Sequence, residues 1–195
     1  MDRLFNIYMV GIGGQGVLSL ADLLCRAAHQ EKIPFNYYPT KGMSQRGGFV
    51  KAQVRLGSVH VGAAIPPKGA DLVISMEISE TLKALPYLKP QGQVLLYGNR
   101  WETTAVMTGN AHYPAADQVI NQIEKSLGDV LYIEDDHEFK GKENLYVLGV
   151  AIAKTELREL FRPEQLLESI KKRWPKAAKE NCAAFIAGYR TIGQT

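Results

Sequence analysis

Cysteine is scarce in this chain. The 195 residues contain two, Cys25 and Cys182, far apart and in no C-x-x-C spacing, which excludes an iron–sulfur or zinc site built from this chain's thiols alone. Free cysteine behaves as a small, usually buried hydrophobe, so two reduced interior thiols are expected. Long apolar runs are missing too, and the first residues pass through Asp2 and Arg3 straight into a strand pattern. A cytoplasmic protein with neither signal peptide nor membrane span is therefore expected. Charge of one sign is also lacking: the formal net charge is +3, with basic residues dispersed among acidic ones. That gives no footprint for nucleic acid. The four histidines, His29, His60, His112 and His137, stand in unrelated contexts without triad or metal spacing and read as surface or structural residues. No internal repeat or linker composition interrupts the chain, whose length suits one domain with its own core.

What is present is an alternation of strand and helix. Phe5–Val10 is a short apolar run ending at Gly11, as in a buried parallel strand, and Val17, Leu20, Ala21, Leu24 and Ala28 then recur at helical spacing. Pro34–Tyr38 reads as a second strand. Between Phe49 and Leu56, apolar Val50, Ala52, Val54 and Leu56 alternate with Lys51, Gln53 and Arg55, which predicts a half-exposed strand turning at Gly57-Ser58 into a hairpin partner over Val59–Ala64. Further strands are expected at Asp71–Met76, Gln93–Tyr97 and Val130–Ile133, and helices at Ile78–Leu88 and Ala116–Leu127. Three C-terminal helices follow at Glu143–Phe161, Pro163–Arg173 and Pro175–Tyr189, with Pro163 and Pro175 near N1 positions. Residues 99–114 show no period. The class predicted is α/β: a Rossmann-like, doubly wound, mainly parallel sheet with an inserted β-hairpin and a helical C-terminus.

Two loops carry the functional signal. Gly11-Ile12-Gly13-Gly14-Gln15-Gly16 has glycines where a strand-to-helix turn needs tightness, close backbone approach and close packing, and its amides face a helix N-terminus suited to an anion. The acidic residue that ends the second strand of an NAD-binding fold is replaced by Tyr38-Pro39-Thr40-Lys41. A dinucleotide, another phosphate-bearing ligand such as coenzyme A, and a purely structural turn all remain open. In the second loop, Ser44-Gln45-Arg46-Gly47-Gly48 sets a permanent cation beside two residues without side chains, which a phosphate or carboxylate could approach; the alternative is an ordinary surface arginine. Both loops are expected on the carboxyl edge of the sheet, where open α/β folds bind ligands. Glu134-Asp135-Asp136 and Glu138 could hold a cation but read first as a solvated turn. Asn144 and Asn181 read first as structural residues that cap helices or bond loop carbonyls.

Taken together, Val10–Val17, Gly42-Met43-Ser44-Gln45-Arg46-Gly47-Gly48, Ala84-Leu85-Pro86-Tyr87-Leu88, Asn144–Gly149 and Asn181–Gly188 resemble the gamma-type subunit of 2-oxoacid:ferredoxin oxidoreductases, in the branch of the indolepyruvate oxidoreductase beta subunit beside the pyruvate and ketoisovalerate gamma domains. The resemblance spans nearly the whole chain and departs from the family at Tyr132–Lys142, where the run is acidic. It implies an oxidative decarboxylation on thiamine diphosphate, with electrons leaving through iron–sulfur clusters to ferredoxin and the acyl group passing to coenzyme A. This chain resembles no thiamine-diphosphate segment and lacks the cysteine sets, so the resemblance assigns those cofactors to partner subunits. Gly11, Gly13, Gly14, Gln15, Gly16, Ser44, Gln45, Arg46, Gly47 and Gly48 are the implied cofactor-facing residues, with no catalytic residue and no metal on this chain. The competing expectations are a stand-alone dinucleotide-dependent oxidoreductase and a non-enzymatic nucleotide-binding module.

Overall fold

The computed structural model describes residues 3–41, 48–58, 60–102, 104–126, 128–136 and 138–191. Six strands form one sheet: β1 (Phe5–Ile12), β2 (Phe35–Lys41), β3 (Phe49–Leu56), β4 (Ala70–Ser75), β5 (Leu88–Tyr97) and β6 (Asp129–Ile133), in the order β2-β3-β1-β4-β5-β6. β1, β4, β5 and β6 run parallel, and β3 lies antiparallel between β1 and β2. The mainly parallel α/β sheet is as expected. The helices are α1 (Val17–Gln30), α2 (Thr81–Ala84), α3 (Thr104–Met107), α4 (Ala116–Lys125), α5 (Glu143–Lys154), α6 (Pro163–Arg173) and α7 (Ala178–Arg190).

Alternation along each strand divides the core. Ile7, Met9, Val54, Leu72, Ile74 and Leu95 face α1, α5, α6 and α7, whereas Tyr8, Val10, Val73, Val94 and Leu96 face α2, α4 and Ile65. On α1 the predicted stripe is realised, with Leu20, Ala21, Leu24 and Ala28 wholly buried; truncating Leu20 or Leu24 to Ala would cost about 2–5 kcal/mol. α5 has every residue from Leu145 to Ile152 buried, and a helix apolar on all sides belongs inside.

The inserted hairpin is not where the alternation of β3 placed it. The hairpin partner of β3 is β2, joined to it through the segment carrying Arg46, and residues 60–64 form no strand. The reason lies in the residues expected to face solvent. Gln53 and Arg55 are buried, and they spend their polar groups on the chain that follows: Arg55 donates to Gly62 O (2.6 Å) and Ala64 O (3.1 Å), and Gln53 Oε1 accepts from the Ile65 amide at 2.5 Å. Asn36 donates to Ser58 O and Val61 O, each at 3.2 Å. Side chains rather than a neighbouring strand satisfy this backbone, so it covers the sheet face as irregular structure.

Two predicted helices are shorter than expected. The helix of Ile78–Leu88 is reduced to α2 and a 3-10 turn, Leu85–Tyr87, because Pro86 supplies no amide and β5 begins at once at Leu88. β5 thus starts before Gln93, with a register break opposite Ala70–Leu72 that takes in Pro90-Gln91-Gly92. The helix of Glu143–Phe161 stops at Lys154. Thr155 is extended, its hydroxyl donates to Ala151 O at 2.7 Å and accepts from the Leu157 amide at 3.2 Å, and a 3-10 turn replaces the next helical turn. Asn144 and Asn181 lie inside α5 and α7 rather than at their caps, Lys142 and Ala177.

Candidate functional site

β1 extends through Gly11 to Ile12, and the turn that follows is built as its glycines suggest. The Gly13 amide donates to Gly48 O at 2.8 Å, the Gln15 amide returns to Ile12 O at 3.1 Å, and α1 starts after Gly16. Gly14 and Gly16 have φ of +107° and +79°, the left-handed region that side chains disfavour. Gly16 also has a neighbour: a Cβ there would lie 2.4 Å from Asn144 Nδ2, so the start of α5 packs on the start of α1. Gly11 answers to packing alone, since a Cβ would meet Gln15 Oε1 at 2.7 Å and Met76 Cβ at 2.9 Å.

From this loop a polar chain crosses the carboxyl edge of the sheet. Gln15 Oε1 accepts from the Ile12 amide at 2.8 Å, and Gln15 Nε2 donates to Asn99 Oδ1 at 2.8 Å. Asn99 Nδ2 donates to Asp135 Oδ2 at 3.0 Å, while Tyr97 and Lys140 both donate to Asp135 Oδ1. Desolvation alone would raise the Asp135 carboxyl, but the bonds from Lys140, Tyr97 and Asn99 outweigh it and hold the group below the usual carboxylate range. Burial and the bond to Asp135 push the Tyr97 phenol far above its ordinary value, so Tyr97 stays a protonated donor. Asp135 therefore is no solvated turn residue: its side chain is 23% exposed and anchors three donors.

Beside this chain lies a cavity of about 340 Å3, lined by Gly13, Gly14, Gln15, Met76, Tyr97, Asn99, Trp101 and Glu143. A second carboxylate organises its rim. Glu77, just past β4, has no exposed surface. It accepts from Ser79 Oγ (2.7 Å), the Glu80 amide (2.8 Å), the Trp101 amide (3.0 Å) and the Tyr113 hydroxyl. A buried charge is tolerable only when its lone pairs are filled in this way. Glu77 thereby ties both ends of the segment left without a period, residues 99–114, to the end of β4.

Of the residues expected to face a ligand, Gly13, Gly14 and Gln15 line the cavity, Gly11 and Gly16 support the turn, and Gly48 is hydrogen-bonded to it. Ser44, Gln45, Arg46 and Gly47 lie outside the described residues, as does His137, but the flanking Lys41 and Gly48 stand on the glycine-loop edge, since β3 starts with Phe49 opposite Ile12. Tyr97, Asn99 and Glu77 were missed, and Asp135 was read first as part of a solvated turn. Each ends or closely follows a parallel strand, so searching every strand's carboxyl end would have found them. His29, His60 and His112 are exposed, and no cluster of three His, Cys, Asp or Glu with metal-binding geometry occurs among the described residues. Cys25 and Cys182 are free and buried, and burial first, then nearby Asp22, pushes the Cys25 thiol up to about 12. No helix among the described residues is long and apolar enough to cross a membrane.

The family described as pyruvate ferredoxin/flavodoxin oxidoreductase matches residues 6–191. The chain is 30% identical over 197 residues to an indolepyruvate oxidoreductase subunit IorB of Methanothermobacter thermautotrophicus, covering 98% of this chain and 99% of that one. It is 37% identical over 120 residues to the IorB subunit of Archaeoglobus fulgidus, covering 62% and 59% of the two chains. In fold it is similar to pyruvate oxidoreductase subunit PORC of Thermotoga maritima, with a TM-score of 0.65, 19% identity and 96% of each chain covered. A 2-oxoglutarate:ferredoxin oxidoreductase of Magnetococcus marinus, solved with 2-oxoglutarate, coenzyme A and succinyl-CoA bound, aligns with a TM-score of 0.68 at 16% identity, over 97% of this chain and 31% of that one.

Proposed function

The chain belongs to the pyruvate ferredoxin/flavodoxin oxidoreductase family, and from that premise we propose that it is the accessory, gamma-type subunit of a cytoplasmic 2-oxoacid:ferredoxin oxidoreductase acting on indolepyruvate or a related keto acid. The whole chain serves as one such domain. By itself it is inactive. Two buried thiols on α1 and α7 do not make the four-thiolate set that an iron–sulfur cluster needs, and nothing in the sequence resembles a thiamine-diphosphate segment. Those groups sit in partner subunits, through which electrons reach ferredoxin; thiamine diphosphate supplies the carbanion chemistry of decarboxylation there.

The contribution of this chain is its carboxyl edge. The observation that carries the reading is the bond from the Gly13 amide to Gly48 O at 2.8 Å, which brings the glycine loop against the end of the segment bearing Arg46. Backbone amides at the start of α1 favour an anionic group, and Arg46 offers a fork for phosphate or carboxylate. Gly11, Gly13, Gly14, Gln15 and Gly16, with Ser44, Gln45, Arg46, Gly47 and Gly48, form the surface that faces coenzyme A or the partner's active site. Lys140, Tyr97 and Asn99 keep Asp135 ionised, and that network fixes Gln15 under the loop.

Purification of the chain at native expression level tests the reading. The expected result is recovery with a subunit containing thiamine diphosphate and iron–sulfur clusters, and reduction of an artificial acceptor when the complex receives a 2-oxoacid and coenzyme A. Arg46→Ala is expected to lower that rate with assembly intact. Turnover by the isolated chain, or an unaffected rate in Arg46→Ala, would overturn the corresponding part.

A further inference from the structure

Trp101 is one of four large hydrophobic side chains exposed among the described residues. It is 47% exposed, yet its backbone is fixed by one of the most completely buried charges in the fold. Glu77 reaches it through the Trp101 amide at 3.0 Å while also holding Ser79, Glu80 and Tyr113. A carboxylate buried to this degree is costly to the fold and serves here to hold a loop. What the loop presents is Trp101 on the wall of the cavity at the glycine loop, which Met76 and Tyr97 also line.

The polar groups around that cavity are unevenly committed. The side-chain amides of Gln15 and Asn99 are bonded to each other, at 2.8 Å, and onward to Ile12 and Asp135. Glu143 bonds the Gly141 amide through Oε1 at 2.8 Å, and its other oxygen has no hydrogen-bond donor among the described residues. The cavity thus combines apolar and aromatic faces with an available acceptor. Such a site selects a flat ring that brings an N–H.

We propose that Trp101 is the stacking wall for a planar heterocycle bearing an N–H donor, seated in the cavity beside the glycine loop, and that Glu77 is the residue that positions it. The proposal deepens the reading that this edge receives a ligand, and rests on it. Two sources share the chemistry: the adenine of coenzyme A, through its exocyclic amine, and the indole of an arylpyruvate, through its ring nitrogen. Glu143 takes the N–H in either case.

The test uses the full chain carrying Trp174→Phe, which leaves Trp101 as the one emitting tryptophan of the two in the sequence. Coenzyme A and its adenine-free counterpart 4′-phosphopantetheine form one pair of probes, indolepyruvate and pyruvate the other, with affinities from calorimetry. A ring-bearing probe is expected to quench Trp101. Its Kd is expected to rise roughly tenfold in Trp101→Ala but to change little in Trp101→Phe, while the ringless probe responds to neither. Quenching by coenzyme A alone identifies adenine, and by indolepyruvate alone, indole. Glu77→Gln is expected to weaken the same probe as Trp101→Ala does, with the double variant no weaker than Trp101→Ala. Should Glu77→Gln fail to fold, Tyr113→Phe, which removes one of the four donors, reads the same coupling.

Additive losses would overturn the positioning role of Glu77. Unchanged affinity of the ring-bearing probe in Trp101→Ala would overturn the stacking role while leaving the accessory-subunit reading intact. If no probe binds the chain or its assembled complex, and Arg46→Ala turns over normally, both fall together.

Discussion

Gly149 and Gly188 bring α5 and α7 together backbone to backbone. A Cβ on Gly149 would lie 2.1 Å from Phe185 O, and one on Gly188 would lie 1.9 Å from Tyr146 O. Neither obstacle is a flexible side chain, so relief requires moving a helix. Gly188→Ala is expected to destabilise the protein by about 3 kcal/mol, at the upper end of overpacking penalties, with Gly149→Ala close behind. Thermal melting checks this: at this chain length the loss corresponds to roughly 6–12 °C.

The glycine loop separates two kinds of requirement. Gly14 has φ of +107° with open space where a Cβ would be, whereas Gly16 combines φ of +79° with the Asn144 side chain at 2.4 Å. Gly14→Ala is therefore expected to cost about 1–2 kcal/mol of backbone strain alone, and Gly16→Ala more. Asn144→Ala should recover the excess in the Gly16→Ala background and nothing in the Gly14→Ala background. Urea denaturation of the four variants reads the difference, and equal recovery in both would refute the steric assignment.

Asp135 predicts an acid limb in the stability profile. Its folded-state pKa is lowered, so its contribution is complete above the unfolded carboxylate value of about 4 and is lost as pH falls through the lower folded value. Asp135→Asn is expected to cost about 1–2 kcal/mol at neutral pH, allowing for the exposed ammonium of Lys140. The gap between wild type and variant should stay constant from pH 7 to about 5 and narrow below about 4. A gap that widens in acid would contradict the assignment.

The thiols offer a check on the interior. Cys25 is 7% exposed and pushed up to about 12 by burial and by Asp22, and Cys182 is 8% exposed and also raised by burial. With thiolate scarce at pH 8, both should resist a chromogenic disulfide reagent in the native protein and react at once in denaturant. Rapid labelling of either in the folded chain would show that α1 or α7 opens locally.

Much of this architecture can be read from local pattern. β1, β4 and the stripe on α1 follow from apolar runs and helical spacing, and the glycine turn from its Gly11-x-Gly13-x-x-Gly16 spacing, because each is decided by near neighbours. The fate of residues 57–64 was not legible. The alternation of β3 is what a solvated strand would show, but Gln53 and Arg55 face a segment that their own hydrogen bonds hold in place. The site divides in the same way. Its loop is contiguous, whereas Glu77, Tyr97, Asn99 and Asp135 come from the ends of three different strands and meet only because β4, β5 and β6 are paired in register. Asp135 sits in an acidic run whose composition says solvent, and the bonds from Tyr97, Asn99 and Lys140 convert it to an anchor.

The antiparallel placement of β3 has an architectural consequence. β2 ends and β3 begins on one edge of the sheet, with Lys41 paired across from Val50 and Phe49 from Ile12, so both anchors of the connection are strand residues held in register. A change of length or chemistry introduced between those two anchors therefore starts and ends on strands, one residue from the Gly48 carbonyl that meets the Gly13 amide.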